Sequence, residues 1–228
     1  MFRKLLLFSF LFLALYRFAY AQNPNPYGLK VISDRADYLS GVTSNSNTRL
    51  VEVKKYIPNI KLDIRYATTN NFAKIAVYDQ AKAFARLPVV LALKSVEQEL
   101  NKKGLGLKLF DAYRPYSVTV KFFEVADDKN FVASPGTGSR HNRGCAVDLT
   151  LVRLRNGKEL KMPTSYDSFA PEASPDYQNL PVRVKANRDL LIRVMEKNGF
   201  KVLHNEWWHF DFKDWKQYDL MDIPFKQL

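Results

Sequence analysis

One carboxylate inside an apolar run constrains how this chain can fold more than any other feature. In GCAVDLTLVRL, residues 144–154, Asp148 interrupts a stretch that otherwise reads as a buried strand. An unpaired carboxylate is costly to bury, so the fold must bring partners to it. His209 poses the same problem, set between Trp208 and Phe210 in HNEWWHF. The chain has three histidines, and the first, His141, lies seven positions before Asp148 in SRHNRGCAVD. Two imidazoles and one carboxylate form a ligand set that suits zinc, which in catalytic sites keeps three protein ligands and a position for water. Glu206, three residues before His209, is placed to act as the base on that water.

The spacings demand specific backbone shapes. On a straight strand seven residues span ~23 Å and reverse the face of the side chain, so His141 and Asp148 can meet only if the chain folds back between them. Gly144 permits that turn, which puts His141 on a loop and Asp148 on the strand after it. Glu206 and His209 also have opposite strand parity. A bend or bulge at Trp207–Trp208 is required if both are to face one cavity. The competing reading is that these are unrelated polar residues, and the apolar setting of Asp148 and His209 speaks against it. Cys145 reads as a small buried filler rather than a ligand or nucleophile. Arg114 ends the apolar strand LKLFDAYR and is held extended by Pro115. It is either an exposed strand-end charge or a group that binds a carboxylate or a developing oxyanion.

Length and charge narrow the remaining choices. The 228 residues suffice for one domain with decorations, and no internal repeat is visible. Residues 1–21 open with Arg3 and Lys4, continue apolar from Leu5 to Leu15 and end in Ala19-Tyr20-Ala21, the order of an export signal. The apolar run is too short to cross a bilayer as a helix, so no stable membrane anchor is expected after cleavage, and the chain is expected in the periplasm or secreted. The single cysteine excludes an internal disulfide framework. The formal charge of +12 loses Arg3, Lys4 and Arg17 with the signal, which leaves +9. The basic residues are scattered with no run longer than two, a solvated surface rather than a nucleic-acid face.

Residues 22–48, rich in Asn, Ser and Pro, read as a flexible lead-in, and 49–228 as a single domain. LVEVKKY and IKLDIRYA alternate as strands, and Pro88 opens a helix that Gly104 ends. LKLFDAYR is a strand and 117–126 a short helix. Asn156-Gly157 marks a two-residue hairpin turn after the Asp148 strand. VRVKANRDLLIRVMEKNGF is an amphipathic helix, and KVLHNEWWHFDF a strand pair or a bent strand. Strands and helices mix without a βαβ rhythm, which gives an α+β fold, a central antiparallel sheet flanked by helices.

SRHNRGCAVDLTL with EWWH, preceded by DAYRP, resembles the zinc D-alanyl-D-alanine dipeptidases of the VanX type, within the wider group of D-Ala-D-Ala and hedgehog-fold metallopeptidases. The likeness runs from LDIRYATTNNF (62–72) through EWWHF (206–210) and takes in the MEKNGF helix end. It implies one zinc per chain on His141, Asp148 and His209, a zinc-bound water as nucleophile, Glu206 as general base, and Arg114 stabilising the tetrahedral intermediate. It further implies that Ser139 and Tyr66 help hold the D-Ala-D-Ala dipeptide and that Asp167, in MPTSYDSF, holds its ammonium. With the export signal, the implied role is turnover of cell-wall (peptidoglycan) peptides rather than antibiotic resistance. Two alternatives stand beside it: a D,D-carboxypeptidase or endopeptidase that cuts longer stem peptides, and a zinc-containing binding module without turnover.

Overall fold

Strand β6 (Ala146–Arg153) is buried along almost its whole length because it lies in the middle of a five-stranded sheet. The computed structural model describes residues 25–228, so the expected export signal lies outside the described residues. Along the chain, β1 (Val31–Ile32), α1 (Arg35–Ser44), β2 (Leu50–Glu52), α2 (Val53–Tyr56), β3 (Lys61–Leu62) and β4 (Phe84–Arg86) come first. Then follow α3 (Leu87–Asn101), β5 (Leu105–Asp111), α4 (Tyr116–Val125), β6, α5 (Val182–Lys197), β7 (Phe200–Leu203), β8 (Glu206–Phe212) and β9 (Leu220–Met221). The main sheet runs β3-β5-β6-β8-β7, antiparallel except where the short edge strand β3 joins β5 in parallel. Helix α3 packs on β5, α5 packs on β7, and the two helices touch each other. The architecture is α+β with a largely antiparallel central sheet. No helix among the described residues is long and apolar enough to cross a membrane.

Register decides which side chains meet. Asp111 of β5 pairs with Asp148 of β6, which pairs with His209 of β8, so three polar residues stand abreast across three buried strands. Two irregularities make this possible. Between Leu109 and Asp111, β5 advances two residues while β6 moves one, from Leu149 to Asp148. Phe110 is the extra residue, and it returns Asp111 to the face of Asp148. In β8 the chain passes from Phe210 to Glu206 while β7 takes the single step from Val202 to Leu203. Trp207, Trp208 and His209 bulge out of the β7–β8 ladder, while His209 stays paired with Asp148 of β6, where the parity of Glu206 and His209 required a break.

Four local expectations differ from the structure. The stretch read as a flexible lead-in holds order across residues 25–48: Asp34 caps α1 by accepting from Ala36 and Asp37, and β1 pairs with β9. Asp34 and Asn45 serve as caps, a role with the same composition as a loose segment. The fold therefore begins before residue 49. LVEVKKY is strand only to Glu52, because Val53 and Ile57 are buried at the spacing of a helical turn. IKLDIRYA pairs over Lys61–Leu62 alone and then winds into a short 3₁₀ turn at Arg65–Ala67 that buries Tyr66. The turn after β6 spans residues 154–157, closed by Arg153 N–H donating to the Lys158 carbonyl, rather than the two residues Asn156-Gly157.

Candidate active site

His141 begins a 3₁₀ turn, His141–Arg143, that ends at Gly144 with φ +69°. A Cβ at Gly144 would lie 2.6 Å from Leu50 Cδ2, so both the left-handed backbone and the close approach require glycine. The turn brings His141 back over the start of β6. There His141 Nε2 lies 3.4 Å from Asp148 Oδ1 and 3.2 Å from His209 Nδ1, and His209 Nδ1 lies 3.1 Å from Asp148 Oδ1. A tetrahedral ion with bonds of about 2.0–2.1 Å has ligand edges of about 3.3 Å, so the triangle has the size such an ion needs.

The outer nitrogens of both rings are occupied. His141 Nδ1 sits 2.7 Å from the Ala112 carbonyl, and His209 Nε2 sits 2.9 Å from Asp211 Oδ1. Each ring can therefore donate outward, which leaves its inner nitrogen to supply a lone pair to an ion when one is bound, as metal-binding imidazoles do. Asp148 Oδ2 accepts from the Tyr166 hydroxyl at 2.9 Å, while the buried Oδ1 has no hydrogen-bond partner. The donor set, its spacing and this orphaned oxygen fit a divalent cation with nitrogen and oxygen preferences.

The electrostatics agree. In the metal-free chain burial alone would lower the basicity of His209, yet the adjoining carboxylates of Asp148 and Asp211 push it up to about 10. Burial would raise Asp148, but His141 and His209 hold its carboxyl well below the usual range. The pocket attracts positive charge. Glu206 Oε2 stands 3.8 Å from His209 Nδ1. Burial raises its carboxyl above the ordinary value and Asp148 adds to this, against the pull of His209, His141 and Arg114.

These groups line one cavity of about 220 Å³ with Tyr66, Arg114, Ser139, Asp167, Phe72, Phe122, Phe131 and Phe169 among its walls. All eight residues singled out from the sequence are brought together there. His204 reaches the rim from the turn between β7 and β8 and is not in the ligand cluster. Arg114 resolves its two readings in favour of burial: Nε and Nη2 both donate to Asp111 Oδ2, at 3.1 and 2.7 Å, and its guanidinium lies over the rings of Tyr66 and Phe122. Nη1 has no hydrogen-bond partner among the described residues. Asp167 adopts φ +60°, accepts from the Tyr66 hydroxyl at 3.1 Å through Oδ1, and leaves Oδ2 buried without a partner. Burial and then the Asp148 charge push it up to about 8. Ser139 Oγ accepts from the His141 amide at 3.2 Å, which ties it to the ligand turn. Cys145 is buried, its thiol pushed up to about 12 by desolvation, as a filler would be.

Four supporting residues were missed in the sequence. Asp211 shares strand parity with His209, two positions on, and that spacing was a usable signal. Asp111 stands three residues before Arg114, the separation at which they pair. Asn142 is fully buried and links the ligand turn outward: its Nδ2 donates to the Arg114 carbonyl at 2.9 Å and to Thr119 Oγ1 at 2.8 Å. Neither Asn142 nor Tyr166 carries any local pattern that reveals its partner.

The M15 peptidase family model, described as D-Ala-D-Ala dipeptidase, matches residues 46–224. A D-alanyl-D-alanine dipeptidase of Escherichia coli K12 is 30% identical over 181 residues, covering 79% of this chain and 93% of that protein. Proteins of the same description from Enterococcus faecalis and Streptomyces coelicolor are 29% and 28% identical, covering 68% and 71% of this chain and 87% and 90% of theirs.

Proposed function

The chain belongs to the M15 peptidases, the D-Ala-D-Ala dipeptidase family, and is a metallopeptidase; from that premise we propose that it hydrolyses the D-alanyl-D-alanine dipeptide at a zinc ion held by His141, Asp148 and His209. The observation that carries the reading is the triangle of His141 Nε2, His209 Nδ1 and Asp148 Oδ1, with edges of 3.1–3.4 Å, beside a carboxylate at 3.8 Å. When bound, zinc would polarise the scissile carbonyl and lower the pKa of water toward ~7.

The remaining steps fall to the chain's own side chains. Glu206 takes the proton from the attacking water and delivers it to the departing amine. Its raised carboxyl suits both halves of that exchange. Arg114, charged and anchored on Asp111, directs Nη1 at the oxyanion that exists only after attack, so its effect falls on the transition state. The free Oδ2 of Asp167, with the Tyr66 hydroxyl at its other oxygen, receives the substrate ammonium. A cavity of about 220 Å³ lies below the ~300–1,000 Å³ of sites for larger ligands, which supports a dipeptide over a stem peptide. The order of charge, apolar run and small residues in 1–21 supports export, so the substrate pool is dipeptide released in wall turnover.

The test is hydrolysis of D-Ala-D-Ala, its N-acetyl form, L-Ala-L-Ala and a stem pentapeptide, each with and without chelator. Turnover of the free D,D-dipeptide alone, abolished by chelator and restored by zinc, is the expected result. Faster cleavage of the pentapeptide would replace this reading with a carboxypeptidase.

A further inference from the structure

A carboxylate can hold a cation through one oxygen or through two, and the two modes leave different room for a reaction. A catalytic zinc with three protein ligands keeps a position for water or substrate, and a second carboxylate oxygen would compete for it. What decides the mode is whatever occupies the other oxygen.

In this chain that group is Tyr166. It lies on the loop between β6 and α5, and its hydroxyl donates to Asp148 Oδ2 at 2.9 Å. The ring is seated by stacking on Phe110, with centroids 4.5 Å apart and planes at 19°, and by an edge contact with Trp208 at 5.7 Å. Phe110 is the bulged residue of β5, so the irregularity that turns Asp111 toward the cavity also supplies the platform for this ring. The oxygen left over, Oδ1, is the one within 3.1–3.4 Å of the two imidazole nitrogens.

The geometry points to Tyr166 as a positioning residue that restricts Asp148 to coordination through Oδ1 and so keeps the reacting position open. The inference rests on the metal reading of the site. It assigns a job to one hydroxyl that a bulky aromatic filler would not need, since phenylalanine would stack on Phe110 equally well. A rival role exists because the next residue is Asp167: the hydroxyl could act by fixing the loop that presents the ammonium-binding carboxylate.

Tyr166→Phe in the full chain separates these. Expected are zinc binding weaker by about 10- to 100-fold in chelator competition, a weaker visible absorption of the cobalt(II)-loaded protein as a second oxygen raises its coordination number, and a fall in kcat with KM for D-Ala-D-Ala within about twofold of the parent. The metal-free variant should melt close to the parent, since the ring and its stack remain. A second variant, Phe110→Leu, loosens the seat and keeps the hydroxyl, and should give the same spectral change with a smaller loss of zinc. Parent-like zinc affinity and cobalt spectrum in both variants would overturn the assignment. So would a rise in KM alone, which would give the hydroxyl to Asp167. If the parent protein itself fails to take up one zinc or cobalt per chain, the metal reading falls, a result distinct from either.

Discussion

Replacing Asp167 with asparagine should make the metal-free protein more stable and the enzyme much worse. The side chain keeps its shape, its acceptor for the Tyr66 hydroxyl, and a residue type that tolerates φ +60°. What disappears is a charge held next to Asp148 with one oxygen unpaired. Raising a carboxyl from 3.8 to about 8 means that the folded state favours its neutral form. Above the unfolded pKa the charge is therefore a penalty, which grows with pH until about 8. At pH 7 the shift corresponds to about 4 kcal/mol. Solvent at the half-buried residue screens part of this, leaving roughly 2 kcal/mol, or about 4–8 °C in Tm for a chain of this size. The gain should shrink as pH is lowered toward 4. In the loaded enzyme the same change removes the partner of the substrate ammonium, a loss of about 2–5 kcal/mol, or ~30- to ~5,000-fold in kcat/KM. Melting curves of chelator-treated protein across pH, beside kcat/KM for D-Ala-D-Ala and for its N-acetyl form, give both signs. An equal fall on both substrates would refute the ammonium assignment, and a lower Tm would refute the electrostatic reasoning.

The other expectations can be put briefly. Glu206→Gln should keep the bound metal and lose about 10²- to 10⁴-fold in kcat. In the parent, kcat/KM should fall on the acid side with a midpoint above the ordinary carboxylate range, because Glu206 must be ionised to accept the proton. Arg114→Lys should lower kcat by about 10²- to 10³-fold with little change in KM, since one ammonium cannot both hold Asp111 and reach an oxyanion; a pure KM effect would count against it. Asp211→Asn should weaken metal binding by about 10- to 100-fold in chelator competition, as the brace on His209 Nε2 loses its charge. Gly144→Ala should cost about 2–5 kcal/mol in denaturant unfolding, the sum of a left-handed alanine and a contact of 2.6 Å with Leu50.

The polar residues gathered at the cavity were legible because their types are expensive where they stand. A carboxylate in CAVDLTLV and an imidazole between Trp208 and Phe210 have to be compensated, and that need can be read without knowing the fold. The likeness to a dipeptidase family then pointed to Tyr66, Ser139 and Asp167, which no spacing argument reaches. The braces were not legible, because each is chosen by register. Asp111 faces Asp148 only through the pairing of β5 with β6, and Tyr166 meets Asp148 from a loop eighteen positions away. The Asn- and Ser-rich start misled for a related reason: residue types that loosen a chain also cap helices, as Asp34 caps α1, and composition does not distinguish the two.

The strand bulges carry a more general point. Side chains alternate along a strand, so a helper three residues from a ligand ought to be lost to the other face. In β8 the ladder breaks at Trp207–His209 and returns Glu206 to the cavity; in β5 it breaks at Phe110 and returns Asp111 to Asp148. The break in β8 brings Glu206 beside His209, and the break in β5 brings Asp111 abreast of Asp148. Local periodicity is thus violated where the chemistry needs two neighbours on one face, and the violation is stabilised by large buried rings, Phe110, Trp207 and Trp208, whose packing offsets the lost ladder hydrogen bonds. A parity conflict between candidate residues in a sequence is therefore a reason to expect a bulge, and not by itself a reason to discard the site.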